Sequence, residues 1–271
     1  MKRDRGSAMQ LNHTRLTDTV TAINTQFLFG TRLFPTHVFV LETDNGLVLF
    51  DTGGPGSGQL IVGSMKAAGY DPGALRAICL SHWHKDHTGG LAELVKLLAP
   101  DVRIDIFIGT ADLALMKKQQ VQVLRLHPFA KLPILHRPGK LPGPDQARLI
   151  ALDKTGEHQL QEAYAVRPIA TPGHTPGHTA YLHEPTESLF SGCALSLIRP
   201  DTVGLVPIFY DRALQVRSGR YLAKLDFNYL FPVHLFLRSD TIPLNKRRPC
   251  KGKTGWLNKL MGDLLLFRYG G

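Results

Sequence analysis

The sequence contains few cysteines and no long apolar run. Its three cysteines, Cys79, Cys193 and Cys250, are widely spaced and odd in number. That pattern does not suggest a disulfide framework, so we expect a reducing compartment, the cytoplasm. No apolar stretch of about 18 residues is present, so we expect no transmembrane helix. The first residues, Met1–Gly6, have no apolar core, so we expect no secretion signal.

The sequence also lacks a G-x-S-x-G elbow, which argues against the usual serine-hydrolase arrangement. Acidic residues are outnumbered, 22 to 32, which leaves a formal net charge of +10. The excess is uneven, because 241–271 hold seven basic residues and one acidic residue. We expect this tail to pack on the body of the protein, with Trp256–Tyr269 as a helix that has a solvated basic face. Weak contact with an anionic membrane surface, or with nucleic acid, is the alternative.

Length and composition fit one large α/β domain. The chain has 271 residues, 43% of them hydrophobic and 20% charged, as is typical of globular proteins. We expect an N-terminal extension over 1–18, the domain over 19–240 and the basic tail over 241–271.

The most informative stretch is Ser81–Gly90, which contains H-x-H-x-D-H. Alternation places His82 and His84 on one side of an extended segment, so both can reach the same metal ion. Asp86 and His87 follow on a turn, where they can reach a second ion. Imidazole nitrogen and carboxylate oxygen are the usual ligands of zinc and related metals. The sequence therefore predicts a metal site after a strand.

Three further candidate ligands each follow a strand-like run. His174 lies in T-P-G-H-T-P-G-H, where two Pro-Gly pairs predict a tight, stiff turn. Cys193 follows the run that begins at Leu189, and His234 closes the apolar run that begins at Tyr229. These residues are expected to complete the metal site.

The motifs together resemble those of the metallo-β-lactamase superfamily. Asp51-Thr52-Gly53-Gly54, the H-x-H-x-D-H run and the three later ligands match its motifs in order and rough spacing, from about Thr19 to His234. The resemblance implies an α/β (α+β) fold, an αββα sandwich of two mixed sheets flanked by helices. It implies a metal groove at one edge of that sandwich.

The resemblance also implies roles for individual residues. The first metal would be held by His82, His84 and His174. The second would be held by Asp86, His87 and His234. Asp51 would orient the ligand loop, although an ordinary turn aspartate after a strand would look the same. His178 corresponds to a histidine that is usually structural in this family.

Cys193 departs from the common family pattern, which has a bridging aspartate at this point. A thiolate there would bind the second metal and favour zinc. The alternative is that Cys193 is a small buried residue that binds nothing. We expect zinc, two ions per chain, although iron, manganese and cobalt also suit such ligands.

The resemblance implies a hydrolase in which a metal-activated hydroxide opens a small carbonyl substrate, with Asp86 orienting the nucleophile and passing a proton. Lactones, including acyl-homoserine lactones, are the most similar candidate substrates, because T-P-G-H-T-P-G-H and the closing F-P-V-H resemble the enzymes that act on them. β-Lactams and thioesters are the neighbouring candidates, and a promiscuous enzyme acting on several of these is also compatible with the resemblance. A nuclease of the same superfamily, acting on RNA or DNA, is the alternative. The basic charge favours it, whereas the short length argues against it, because nucleases of this family usually carry an additional RNA-binding or clamp domain. A redox scaffold with a di-iron site is disfavoured, because no flavin domain is recognisable.

Hydrophobic patterning predicts the remaining elements. Strands are expected at Thr19–Leu28, Thr36–Thr43, Leu47–Phe50, Leu75–Leu80, Arg103–Ile108 and Tyr164–Ala170. Helices are expected at Leu91–Leu98, Ala111–Leu126 and Asp211–Leu225. Asp44-Asn45-Gly46 predicts a hairpin turn.

The segment Leu126–Ala147 contains five prolines, which predicts a long irregular connection. Connections of this length often act as lids or binding loops, so we expect this one to border the metal groove. Its apolar side chains would suit an acyl group; they are Phe129, Leu132, Ile134 and Leu135.

Overall fold

Eighteen strands and six α-helices make up the part of the chain that the computed structural model describes. That part comprises residues 13–25, 36–99, 102–126, 133–199 and 202–234, with the backbone of two further strands at 247–249 and 265–269. The strands are β1 (His13–Arg15), β2 (Val20–Asn24), β3 (His37–Thr43), β4 (Gly46–Phe50), β5 (Leu75–Cys79), β6 (Ile104–Gly109), β7 (Gln122–Leu126), β8 (Pro133–His136), β9 (Ala147–Leu152), β10 (Val166–Ala170), β11 (Thr179–His183), β12 (Ser188–Gly192), β13 (Ser196–Arg199), β14 (Thr202–Gly204), β15 (Ile208–Phe209), β16 (Tyr229–Pro232), β17 (Arg247–Pro249) and β18 (Leu265–Tyr269). The helices are α1 (Ser57–Ala67), α2 (Lys85–Thr88), α3 (Leu91–Leu97), α4 (Thr110–Lys117), α5 (Lys154–Tyr164) and α6 (Arg212–Leu222).

The larger sheet is mixed and has the strand order β1-β2-β3-β4-β5-β6-β9. Its first four strands pair antiparallel, and β4, β5, β6 and β9 pair parallel. The predicted hairpin joins β3 to β4, with Thr43 opposite Gly46. Gly46 has a φ of 111°, a conformation that glycine adopts without strain. The hairpin prediction is therefore confirmed.

The second sheet has the order β10-β11-β12-β16, with β16 parallel to β12 and the other pairs antiparallel. Two smaller sheets accompany it, ordered β13-β14-β18-β17 and β15-β7-β8. The pairing of β18 with β14 joins part of the basic tail to the body of the protein.

Both faces of the larger sheet are buried, because apolar residues occupy consecutive positions in its strands. On β3, Phe39 and Leu41 face a core shared with Phe190 and Phe231 of the second sheet. The alternate residues of β3 pack in a different core with helices α1 and α3. The outer face of the second sheet packs against Leu222 of α6. The layer order is helix, sheet, sheet, helix, so the predicted αββα architecture is confirmed.

The ends of these strands meet at one edge of the sandwich. Asp51 follows β4 and Ser81 follows β5, which are parallel neighbours. Cys193 follows β12 and His234 follows β16, the parallel pair of the second sheet. Because adjacent parallel strands end on the same side, residues far apart in sequence are brought together there.

Several element predictions are wrong in detail. The predicted helix Ala111–Leu126 ends at Lys117, because Gln119 adopts a left-handed φ of 48°, and β7 follows. The predicted irregular segment Leu126–Ala147 contains β8, which pairs with β7 as a hairpin. The predicted strand Tyr164–Ala170 begins only at Val166, since Tyr164 ends helix α5.

The chain ends also depart from expectation. Strand β1 pairs with β2, so the larger sheet begins within the segment 1–18 that was expected to be an extension. Within the predicted helix Trp256–Tyr269, the described residues form strand β18 instead. Phe129, Leu132 and Cys250 lie outside the described residues. The domain boundaries themselves stay a prediction.

Among the residues that the structure describes, no helix has the length and apolarity that crossing a bilayer requires.

Candidate metal centre

Three imidazoles converge at the edge of the sandwich. The Nε2 atom of His174 lies 3.1 Å from Nε2 of His82 and 3.1 Å from Nδ1 of His84. All three side chains are buried. A tetrahedral zinc ion with Zn–N bonds of 2.0–2.1 Å separates its nitrogen ligands by about 3.3 Å. The observed separations therefore fit three ligands of one such ion.

Hydrogen bonds behind His82 and His174 determine which nitrogen of each of these two rings faces the cluster. The Nδ1–H of His174 donates to the carbonyl of Ile208 at 2.8 Å. Nδ1 of His82 lies 2.9 Å from Ser81 Oγ. His84 is oriented the other way, with Nδ1 toward His174, and its buried Nε2 has no hydrogen-bond partner among the described residues. Such partners fix the tautomer of metal-binding histidines.

A second group lies beside the first. Nε2 of His87 lies 3.2 Å from Nε2 of His234, and Asp86 Oδ2 lies 3.4 Å from both. Cys193 Sγ lies 3.4 Å from Nε2 of His87. Nitrogen, carboxylate oxygen and thiolate sulfur are all zinc ligands, so this donor set fits a second ion.

Cys193 lies between the two groups. Its Sγ atom is within 4.8 Å of the ligand atoms of His82 and His174, and also of those of His87 and His234. The turn that presents it requires Gly192, whose φ is 53° and whose added Cβ would lie 2.5 Å from the Cβ of Ser81. The structure thus brings all seven predicted ligands together.

Asp51 lies behind both groups. Its Oδ1 accepts a hydrogen bond from the backbone N–H of Ser81 at 2.7 Å, and its Oδ2 accepts one from Ser81 Oγ at 2.8 Å. Oδ2 also lies 2.8 Å from Nδ1 of His87, which leaves Nε2 of that ring free to face the second group. The position is consistent with the predicted orienting role.

The pKa values of His82 and His84 in the first group shift in the opposite direction to the pKa of His87 in the second group. Burial and neighbouring imidazoles hold the pKa values of His82 and His84 well below their ordinary range. These rings are therefore neutral, as a metal ligand must be. Burial also opposes the charge on His87, but Asp86, Cys193 and Asp51 outweigh it and raise the pKa of His87 well above its usual value.

The two acidic members of the second group, Cys193 and Asp86, both have lowered pKa values. Burial opposes ionisation of Cys193, but His87 and His234 lower the pKa of its thiol well below the ordinary value. Burial likewise opposes ionisation of Asp86, and His87 and His234 lower its pKa. Thiolate and carboxylate are the forms that bind metal.

His178 takes no direct part in the cluster. Its Nε2 accepts a hydrogen bond from the backbone N–H of Cys193 at 3.0 Å, and its Nδ1 lies 2.7 Å from Thr171 Oγ1. Burial first, and then the neighbouring His174, lowers the pKa of His178 to about 3. This neutral ring therefore fixes the turn that carries Cys193.

Two residues at the site were not predicted. His136, on β8, has its ring centroid 4.4 Å from that of His84, so the segment after Leu126 does border the site. Asp112, on α4, binds the backbone of two ligand loops. The H-x-H-x-D-H signal carries no information about either, because both lie in other segments of the sequence.

Comparison with known proteins agrees with this arrangement. The sequence profile of the metallo-beta-lactamase superfamily matches residues 31–234. The chain therefore belongs to the metallo-β-lactamase superfamily. It is 28% identical over 177 residues to the protein YobT of Bacillus subtilis (strain 168), a match that covers 64% of this chain and 67% of YobT.

A second relative carries a named activity. The chain is 32% identical over 106 residues to an atrochrysone carboxyl ACP thioesterase of Passalora fulva, covering 38% of this chain and only 30% of that enzyme. Among solved structures, a metallo-beta-lactamase from Pontibacter korlensis superposes with a TM-score of 0.57 at 17% identity, over 83% of this chain and 91% of that one. This last likeness shows the fold alone.

Proposed function

We propose that this protein is a metal-dependent hydrolase that opens a small carbonyl substrate, a lactone, β-lactam or thioester, and that it acts on more than one of them. The observation that carries the proposal is the convergence of His82 Nε2, His84 Nδ1 and His174 Nε2 at 3.1 Å contacts. A second donor set lies beside them. Together they support two zinc ions per chain, with iron, manganese or cobalt as substitutes.

Each group has a role in the proposed chemistry. Zinc, when bound, supplies Lewis acidity that polarises a carbonyl and lowers the pKa of water to about 7. Asp86, whose side chain is 20% exposed beside His87 and His234, can accept a proton on its carboxylate and return it to the leaving group. Asp51 Oδ2 lies 2.8 Å from Nδ1 of His87 and so keeps Nε2 of that ring facing the second group of ligands.

Thioesters deserve the first test among the substrates. A relative from Passalora fulva is named as a thioesterase, although this chain spans under a third of that enzyme. The hairpin formed by β7 and β8 borders the first group of ligands through His136. The same hairpin carries two exposed apolar residues that are cross-strand partners, Val123 and Leu135.

Hydrolysis should be measured on lactone, thioester and β-lactam substrates, the first two with matched acyl chains. We expect zinc-loaded protein to be active, chelator-treated protein to be inactive, and added zinc to restore activity. His174→Ala should abolish turnover. His183→Ala is the matched control, because His183 is also buried but contacts Thr186 instead of the cluster. Chelator-resistant turnover, or equal losses in the two variants, would contradict the proposal.

A nuclease is the second candidate, and charge is the observation that favours it. The segment 113–144 contains six basic residues and no acidic one, and its hairpin borders the site. Nucleic-acid binding through such charges weakens steeply with salt. Metal-dependent cleavage of RNA or DNA that declines between about 50 and 200 mM salt, without turnover of any carbonyl substrate, would favour the nuclease over the first candidate.

A further inference from the structure

Asp112 is a buried carboxylate near the site that the proposed chemistry does not use. It lies in the first turn of α4, which follows β6 in the larger sheet. Its side chain is fully buried, at 0% exposure. Among the described residues it forms no ion pair. A buried carboxylate is costly unless several hydrogen bonds compensate for lost water, so its partners define its role.

Those partners belong to two different ligand loops. Oδ2 accepts a hydrogen bond from the backbone N–H of Trp83, the residue between His82 and His84, at 3.3 Å. Oδ2 also accepts one from Thr175 Oγ1 at 2.6 Å, and Thr175 directly follows His174.

The other oxygen binds the same second loop. Oδ1 accepts a hydrogen bond from the backbone N–H of Gly177 at 2.6 Å. Backbone contact there is close, since a Cβ added to Gly177 would lie 2.5 Å from the backbone nitrogen of Asp112. One carboxylate therefore joins the loops on either side of the first metal group, by contacts 29 and 65 residues apart in sequence.

We propose that Asp112 is a positioning residue that fixes the loop carrying His82 and His84 relative to the loop carrying His174, and so sets the affinity and geometry of the first metal site. The inference rests on the proposed metal centre. Asparagine is a poor replacement, because both carboxylate oxygens accept from N–H or O–H donors and an amide supplies only one acceptor oxygen. Polar partners outside the ligand set typically change metal affinity by about 10–100-fold.

The test is zinc affinity of the folded protein, measured by competition with a chromophoric chelator, together with the visible spectrum of the cobalt-substituted protein. Asp112→Asn should weaken zinc binding at the first site about tenfold and change the cobalt spectrum, which reports coordination geometry. Asp105→Asn is the matched control, because Asp105 makes a surface ion pair with Arg148; its affinity and spectrum should match those of the unsubstituted protein.

A second, milder pair of variants tests the proposal if Asp112→Asn does not fold. Thr175→Val removes only the hydroxyl that donates to Asp112, whereas Thr175→Ser keeps it. We expect the valine variant to lose affinity and the serine variant to retain it. Loss of thermal stability with unchanged affinity and an unchanged spectrum would show that Asp112 is merely structural. If the unsubstituted protein binds neither zinc nor cobalt, the proposed metal centre is wrong, and the inference about Asp112 is wrong with it.

Discussion

Replacing Cys193 with alanine distinguishes two interpretations of this residue: a metal ligand, or a small buried residue that binds nothing. Sγ lies 3.4 Å from Nε2 of His87 and within 4.8 Å of the ligand atoms of both groups. Partners outside a ligand set already change metal affinity by about 10–100-fold. Loss of a direct ligand should therefore weaken the second site by about 100-fold or more, or about 2.7 kcal/mol of binding free energy.

The chain offers a matched control in Cys79→Ala. Both cysteines are buried and free, but Cys79 lies in the core between the sheets. Each substitution removes one buried sulfur atom, and Cys79→Ala, which removes a core thiol, should lower the free energy of unfolding of the metal-free protein by about 1 kcal/mol. Only Cys193→Ala should reduce bound zinc from two ions per chain to one.

Zinc content after dialysis, measured by elemental analysis, gives the stoichiometry. Cobalt-substituted protein gives an independent readout, because a thiolate ligand produces a sulfur-to-cobalt charge-transfer band in the near ultraviolet. That band should vanish in Cys193→Ala and persist in Cys79→Ala. Two zinc ions in both variants would refute the reasoning. Cys193 would then be a packing residue that binds no metal.

Three further predictions concern positioning, pH and packing. Asp51→Asn should weaken zinc binding about 10–100-fold, since the amide cannot accept from both Ser81 donors and His87; unchanged affinity in the competition assay would contradict this. Burial raises the pKa of Asp112 to about 6 from its ordinary 3.8, so its contribution to metal-free stability is present below pH 3.8 and lost by about pH 6. Denaturant unfolding at pH 4 and 7 should show this loss, up to about 3 kcal/mol, relative to Asp112→Asn; parallel values for the two proteins would refute it. Phe190 stacks on Phe50 with ring centroids 3.7 Å apart, so Phe190→Ala should destabilise the protein by about 3–5 kcal/mol, against under about 1 kcal/mol for the exposed Leu97→Ala; similar losses in a denaturant titration would count against this packing.

The site was largely predictable because its signals are local. Four ligands lie within six residues of one another, and each later ligand follows a strand whose apolar pattern is visible in the sequence. Parallel pairing of β4 with β5, and of β12 with β16, then brings those strand ends to one edge. The αββα class followed from the same motifs through the family resemblance.

The structural elements that the sequence did not predict depend on contacts between distant segments. Helix α1 carries Gly58, and a Cβ there would lie 2.7 Å from Glu93 Cγ and 2.8 Å from Leu94 N on α3. Glycine lowers intrinsic helix propensity, and the sequence did not predict α1. Close packing of α1 against α3, which the sequence does not reveal, stabilises this helix. Likewise, the end of α4 depends on the left-handed φ of Gln119, and the apolar residues beyond it continue a helix-like pattern into a strand.

The orientation of the two metal groups is coupled through one side chain. Ser81 Oγ lies 2.8 Å from Asp51 Oδ2 and 2.9 Å from Nδ1 of His82. The same oxygen of Asp51 lies 2.8 Å from Nδ1 of His87. One carboxylate thus orients a ring of the first group through Ser81 and a ring of the second group directly. Because Asp51 holds a left-handed φ of 60°, which is costly for a residue with a Cβ, the surrounding fold must over-determine its position. Removing the Ser81 hydroxyl should therefore disturb His82 more than His87, whereas changing Asp51 should disturb both, and only the second substitution should weaken both zinc ions together.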